Sequence, residues 1–129
     1  MESPFETGLA YGDRLYINNA ALPSSSPNGS PNPLVSENGA IAHEVVGHYE
    51  TVQKGTAFTT QYYDSTGAVK IDLHNLALDE AQASIRAGRF APGLTDAERL
   101  ALIKDGVARL RKQGLKVKDV RSLLDIQGR

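Results

Sequence analysis

The 129-residue chain contains no cysteine and no tryptophan. Without cysteine there is no disulfide framework, no thiolate metal site and no thiol nucleophile. No apolar run approaches the roughly 18 residues of a membrane-spanning helix, and the first residues lack the basic and apolar regions of a signal peptide. There is no P-loop and no Gly-x-Gly-x-x-Gly, which argues against a nucleotide cradle. A Gly-x-Ser-x-Gly nucleophile turn is missing, as is the cysteine pair of cytidine-type deaminases. Charge of one sign is missing only in the total. The net charge is −1, yet residues 1–85 carry 3 basic and 10 acidic side chains (−7), and residues 86–129 carry 11 basic and 5 acidic (+6). A uniformly basic nucleic-acid binder is excluded; a bipolar molecule is not.

Proline is confined just as unevenly. Five of the six prolines lie in the first 33 residues, and Ser24 to Pro33 is nearly low-complexity. Proline lacks the amide donor, so this stretch propagates neither helix nor sheet. Residues 1–33 therefore read as a flexible lead-in with one short strand, Arg14 to Asn18, and residues 34–129 as a catalytic, toxin-like domain. Within it, Ile41 to Lys54 has helical periodicity. Phe58 to Tyr63 and Ala68 to Leu73 read as a β-hairpin turning at Asp64-Ser65-Thr66-Gly67. Leu76 to Phe90 is helical, with Asn75 as its expected cap. Thr95-Asp96-Ala97-Glu98 is a capping box opening a further helix, with Leu100, Ile103, Val107 and Leu110 on its apolar stripe, that ends near Gly114. A last amphipathic piece carries Val120, Leu123, Leu124 and Ile126. The expected class is α+β: a small helix-rich domain with a β-hairpin and one further short strand.

The chemistry is concentrated in Ile41-Ala42-His43-Glu44-Val45-Val46-Gly47-His48-Tyr49-Glu50. On a regular helix Ile41, Ala42, Val45, Val46, Tyr49 and Val52 share one side and are expected to form core. His43, Glu44, Gly47, His48, Glu50 and Thr51 share the other, which is either solvated or the wall of a site. Gly47 favours the wall. Glycine in a helix costs about 1 kcal/mol relative to alanine, and only a close approach by a ligand, a metal or another backbone repays it. In Leu76 to Phe90 the small residues Ala77, Ala81, Ser84 and Gly88 line one stripe. Asp79, Gln82, Arg86 and Arg89 group on a side expected to be exposed. Glu80 points inward beside the small stripe, and an inward carboxylate needs a cation or donors. His74 reads as a junction histidine. Arg109 to Lys118 holds five basic residues, by default a solvated helix end.

The His43–His48 stretch resembles the zincin metallopeptidase helix, His-Glu-x-x-His, with one departure: the histidines are five apart, and Gly47 stands where the second should be. Residues five apart on an α-helix diverge by about 140°, so His43 and His48 share an ion only if the helix is bulged. On an unbulged helix the resemblance implies zinc or another divalent metal held by Glu44, His48 and Glu80, with His43 as acid or base.

SENGAIAHEVVGHYE and LDEAQASIRAGRFAPGLTDAERL, behind a Pro/Ser/Asn-rich lead-in, also resemble the C-terminal toxin domains of bacterial polymorphic toxins of the RHS-repeat and contact-dependent kind. The resemblance covers roughly residues 34–126. It implies delivery by the carrier portion of a larger secreted toxin, action in the cytoplasm of a target bacterium, and a cognate immunity protein. Three functions stay open: a metal-dependent hydrolase; a metal-free nuclease in which His43 and His48 act as base and acid, helped by Glu44, Glu80 and the basic tail; and a non-catalytic interaction module. The substrate would be protein or nucleic acid.

Overall fold

The structure is a computed structural model that describes residues 35–129 and the two short strands β1 (Gly8–Leu9) and β2 (Leu15–Tyr16), which pair antiparallel. The strand expected at Arg14 to Asn18 is described only at Leu15–Tyr16, and the Ser24 to Pro33 stretch lies outside the described residues. The domain is α+β and mainly helical. Helix α1 (Glu37–Ala42) is capped by Ser36, whose Oγ accepts from the Gly39 amide and donates to Glu98 Oε2 at 2.6 Å. A π-helix (His43–Tyr49) and α2 (Glu50–Lys54) continue it. Strands β3 (Gln61–Tyr63) and β4 (Val69–Ile71) pair antiparallel, Tyr62 opposite Lys70. Asp64 Oδ1 takes the Thr66 and Ala68 amides, and Gly67 has φ 84°, so the expected turn forms where glycine is required.

Helix α3 (Leu73–Phe90) runs through the centre, with every residue from Ala81 to Gly88 buried. Small side chains over about half of its circumference, Ala77, Ala81, Ala83, Ser84, Ala87 and Gly88, let neighbours approach closely. Helix α4 (Asp96–Lys112), opened by the predicted Thr95/Glu98 capping box, packs along one side, where a Cβ on Gly106 would meet Ile85 at 2.8 Å. The π-helix packs on another. Short α5 (Val117–Val120) and the residues after it add Val120, Leu124 and Ile126 to a core with Leu78, Ala81 and Ile85.

Four expectations change, the first three because α3 is covered on sides that periodicity leaves open and the last through a local cap. Gln82 and Arg86 are not exposed but fully buried. In the His43 helix the polar side faces inward, with His43, Glu44 and Thr51 at 1% exposure, while Ile41, Val45 and Val52 of the supposed core side are 37–53% exposed. On α4 the buried positions include Ala101, Leu102 and Gly106, and Leu100 is exposed. Helix α3 starts earlier than expected, capped by Asp72, whose carboxylate accepts from the Asn75 amide; Asn75 is inside the helix, and His74 is exposed.

Candidate metal centre

The expectation of a regular helix through the two histidines is overturned. Residues His43–Tyr49 are wound as a π-helix, in which the Glu50 amide reaches back five residues to the Val45 carbonyl. A π-turn holds more residues than an α-turn, so positions five apart come onto one face. The bulge that His-Glu-x-x-x-His requires is therefore present. The two imidazoles stand edge to face with centroids 4.7 Å apart. Gly47 fits the same design: a Cβ there would lie 2.5 Å from the Ala83 carbonyl oxygen, so the residue that approaches this face is the α3 backbone.

Both rings converge on one carboxylate. His43 Nε2 lies 3.0 Å from Glu80 Oε1, and His48 Nε2 lies 3.1 Å from Glu80 Oε2. Their other nitrogens are held from behind. His43 Nδ1 is 2.8 Å from Ser84 Oγ, which donates to Asp105 Oδ2 at 2.6 Å; Arg109 Nε donates to the same oxygen at 2.8 Å. His48 Nδ1 is 3.5 Å from Asp79 Oδ2, while Asp79 Oδ1 accepts from the Phe58 amide at 2.9 Å. Arg109 also places a terminal nitrogen 3.8 Å from Glu80 Oε1.

Ionisation follows from this packing. Burial lowers the pKa of His43, with the Glu80 hydrogen bond opposing. Burial also works against a charge on His48, but Glu80 and Asp79 outweigh it and hold that imidazole well above its usual value. Glu80 is buried too, yet the two histidines hold its carboxyl well below the usual range. Burial pushes Glu44 up to about 9, and its Oε1 is buried with no hydrogen-bond partner. An unpaired buried carboxyl oxygen beside two imidazoles is a group with unmet demand.

All four side chains singled out from sequence, His43, Glu44, His48 and Glu80, lie in this cluster. Their donor atoms fall into two groups of metal-binding geometry, His43/Glu44/His48 and His48/Asp79/Glu80, each with its ligand atoms within 4.8 Å of one another. The site can thus hold a metal ion by geometry. Sequence reasoning missed Asp79, Asp105, Ser84 as a polar group, and Arg109. The i,i+4 spacings Glu80/Ser84 and Asp105/Arg109 were the available signal. Of the basic run, Arg109 enters the site; Arg111, Lys112, Lys116 and Lys118 are exposed. Among the described residues no helix is long and apolar enough to cross a membrane. No family model, curated protein or solved structure matches the chain.

Proposed function

We propose that the domain is a metal-dependent hydrolase, zincin-like in its chemistry, with His43, His48 and Glu80 as the residues that would hold zinc or another divalent ion. The observation that carries this is a proton count at His43. Ser84 Oγ has one proton and gives it to Asp105, so its contact with His43 is one in which Nδ1–H donates. Neutral His43 then presents the Nε2 lone pair to a carboxylate oxygen 3.0 Å away. Two acceptors at that distance need a positive centre between them, either a second proton on His43, which its burial opposes, or a metal ion. Imidazole nitrogens braced from behind by a hydroxyl or carboxylate, with a carboxylate opposite, make a donor set suited to zinc. This differs from the assignment expected on a straight helix: His43 becomes a ligand, and Glu44 is freed. A bound divalent ion supplies Lewis acidity toward water and a substrate oxygen. Glu44 supplies the proton carrier. Its unpaired Oε1 holds a proton at neutral pH by burial, and a nearby cation lowers that affinity toward the range useful for acid–base transfer. Arg109, fixed by Asp105, keeps positive charge beside Glu80.

The metal-free nuclease reading has less support, because His43 is 1% exposed and both imidazoles are committed to Glu80. As part of the same proposal, the domain acts as the toxic part of a secreted carrier, restrained by an immunity protein. Calorimetric titration with zinc tests the centre: one ion per chain is expected, together with a rise in unfolding free energy of about 2.7 kcal/mol at a hundredfold excess over Kd. Loss of that rise in His48→Ala is expected too. No binding, or a hydrolytic activity on peptide, RNA or DNA panels that chelators leave untouched, sinks the metallo-hydrolase reading. Equal bacterial growth on expressing the parent and Glu44→Gln chains counts against toxicity.

A further inference from the structure

Helix α3 also touches the π-helix two residues beyond Ser84, through a residue that reaches neither histidine. Arg86 is fully buried, the largest side chain in the domain to be so. Its Nε donates to the Val46 carbonyl at 3.1 Å. That carbonyl has a particular status. The Glu50 amide pairs five residues back, with Val45. Four-residue pairing would give the Glu50 amide to Val46 instead. Val46 thus loses its α-helical donor where the wide turn closes, and Arg86 supplies one from the side. A buried carbonyl left without a donor disfavours the winding that orphans it. The rest of the guanidinium cannot swing away: one terminal nitrogen donates to the Asp125 carbonyl at 3.0 Å, and the other to Glu50 Oε1 at 3.0 Å.

We propose that Arg86 is a positioning residue whose Nε–H, by taking the Val46 carbonyl, holds the five-residue winding that sets His48 beside His43. Without that donor the segment gains by returning to four-residue pairing, which occupies every carbonyl but turns His48 away from Glu80. Thr51 helps from the same side, its hydroxyl lying 3.1 Å from the Gly47 carbonyl and 3.0 Å from that of His48. One helix therefore supplies both a ligand, Glu80, and the clamp that brings the other two ligands to it.

The test separates this role from that of an ordinary buried cation. Deleting Val45, which is 37% exposed, leaves the histidines four apart and gives the Val46 carbonyl the Glu50 amide in a plain α-helix. In that background Arg86 has no orphan to serve. Zinc affinity, whose use rests on the proposed hydrolase reading, is measured for Arg86→Met and Arg86→Lys in both backgrounds, on protein shown to be folded by amide spectra. A loss of about 10–100-fold is expected at the parent spacing, and less than about 3-fold after the deletion. Equal losses in both backgrounds overturn the proposal. Arg86→Lys keeps the charge without the fork and covers the case in which Arg86→Met does not fold. If the parent binds no zinc, the hydrolase reading fails and the winding is judged by ring-to-ring NOEs between His43 and His48. These must vanish in Arg86→Lys at the parent spacing and persist after the deletion; their persistence in both overturns it.

Discussion

Two buried polar clusters gather on α3, one around Glu80 and one around Arg86, and are built on opposite principles. Around Arg86 the demands are met: its donors go to Val46, Asp125 and Glu50, and Glu50 also receives Arg129 at 2.6 Å. Asp125 is further paired with Lys54 at 2.7 Å and accepts from Thr56 at 2.9 Å. Around Glu80 the balance is different. Asp79, Glu80 and Asp105 gather with Glu44 about two imidazoles and one arginine, and Glu44 Oε1 has no partner. A satisfied network fixes a shape; an unsatisfied one, held in place by its neighbour, is kept for something that binds or reacts. The contrast predicts that substitutions in the first cluster destabilise the protein, whereas those in the second abolish activity at little cost in stability.

The largest expected effect is therefore on rate. Glu44→Gln keeps the volume and removes the proton carrier, so hydrolysis should fall by about 10²–10⁴-fold. Thermal unfolding of the same variant should be unchanged or shifted upward, since a carboxyl with an unmet oxygen is exchanged for a neutral amide. A variant that loses activity and several degrees of stability together would place Glu44 among the structural groups and erase the distinction.

Arg86→Met tests the other side. It orphans the Val46 and Asp125 carbonyls and leaves Glu50 to Arg129, which points to a loss of about 3 kcal/mol in urea unfolding. Gly47→Ala belongs with it. Alanine gains about 1 kcal/mol of helix propensity, but its methyl meets the Ala83 backbone, where nothing yields as a flexible side chain would. The net result should be destabilisation of about 1–3 kcal/mol. A stabilised Gly47→Ala would mean that the π-helix stands further from α3.

How much of this was legible in the residues depends on which physics each position obeys. The Thr95/Glu98 capping box and the Asp64–Gly67 turn depend on neighbours in sequence, and both form where the pattern puts them. His43, Glu44, His48 and Glu80 could be picked out because ionisable groups on the inner side of a helix are conspicuous. The inward turn of the polar face was legible as the wall that Gly47 favours, but not what covers it, since that is the Ala83 backbone of α3. The π-winding was legible only as a condition. A five-residue spacing says that a bulge is needed; the donor that makes it tolerable, Arg86, is 40 residues away from Val46 and looked like a surface cation.

The smallest expected effect, on pH dependence, takes opposite sign for the carboxyls around Arg86 and for Glu44. Arg129 and then Arg86 lower Glu50, against burial; Lys54, Thr56 and Arg86 lower Asp125, again against burial. A carboxyl whose folded pKa is depressed adds stability above its ordinary pKa and loses it as pH falls through the folded value. Stability should thus drop on acidification below about pH 4, where both carboxyls protonate. Glu50→Gln should flatten that limb modestly, because Glu50 is partly exposed and screened. Glu44 runs the other way. With its carboxyl raised to about 9, the unfolded chain releases a proton that the folded protein keeps, so stability should fall as pH rises from about 4.5 toward 9 in metal-free protein. Urea midpoints in chelator at about pH 2.5, 4, 6 and 8 measure both limbs. Glu44→Gln should stabilise at pH 8 and be neutral at pH 4, and excess zinc should remove the alkaline slope by stabilising the Glu44 carboxylate. His48, held well above its usual value, keeps a slope between about pH 6 and 8 in that variant. A slope between about pH 4.5 and 6 that survives Glu44→Gln would move the unmet demand to another group and break the division between the two clusters.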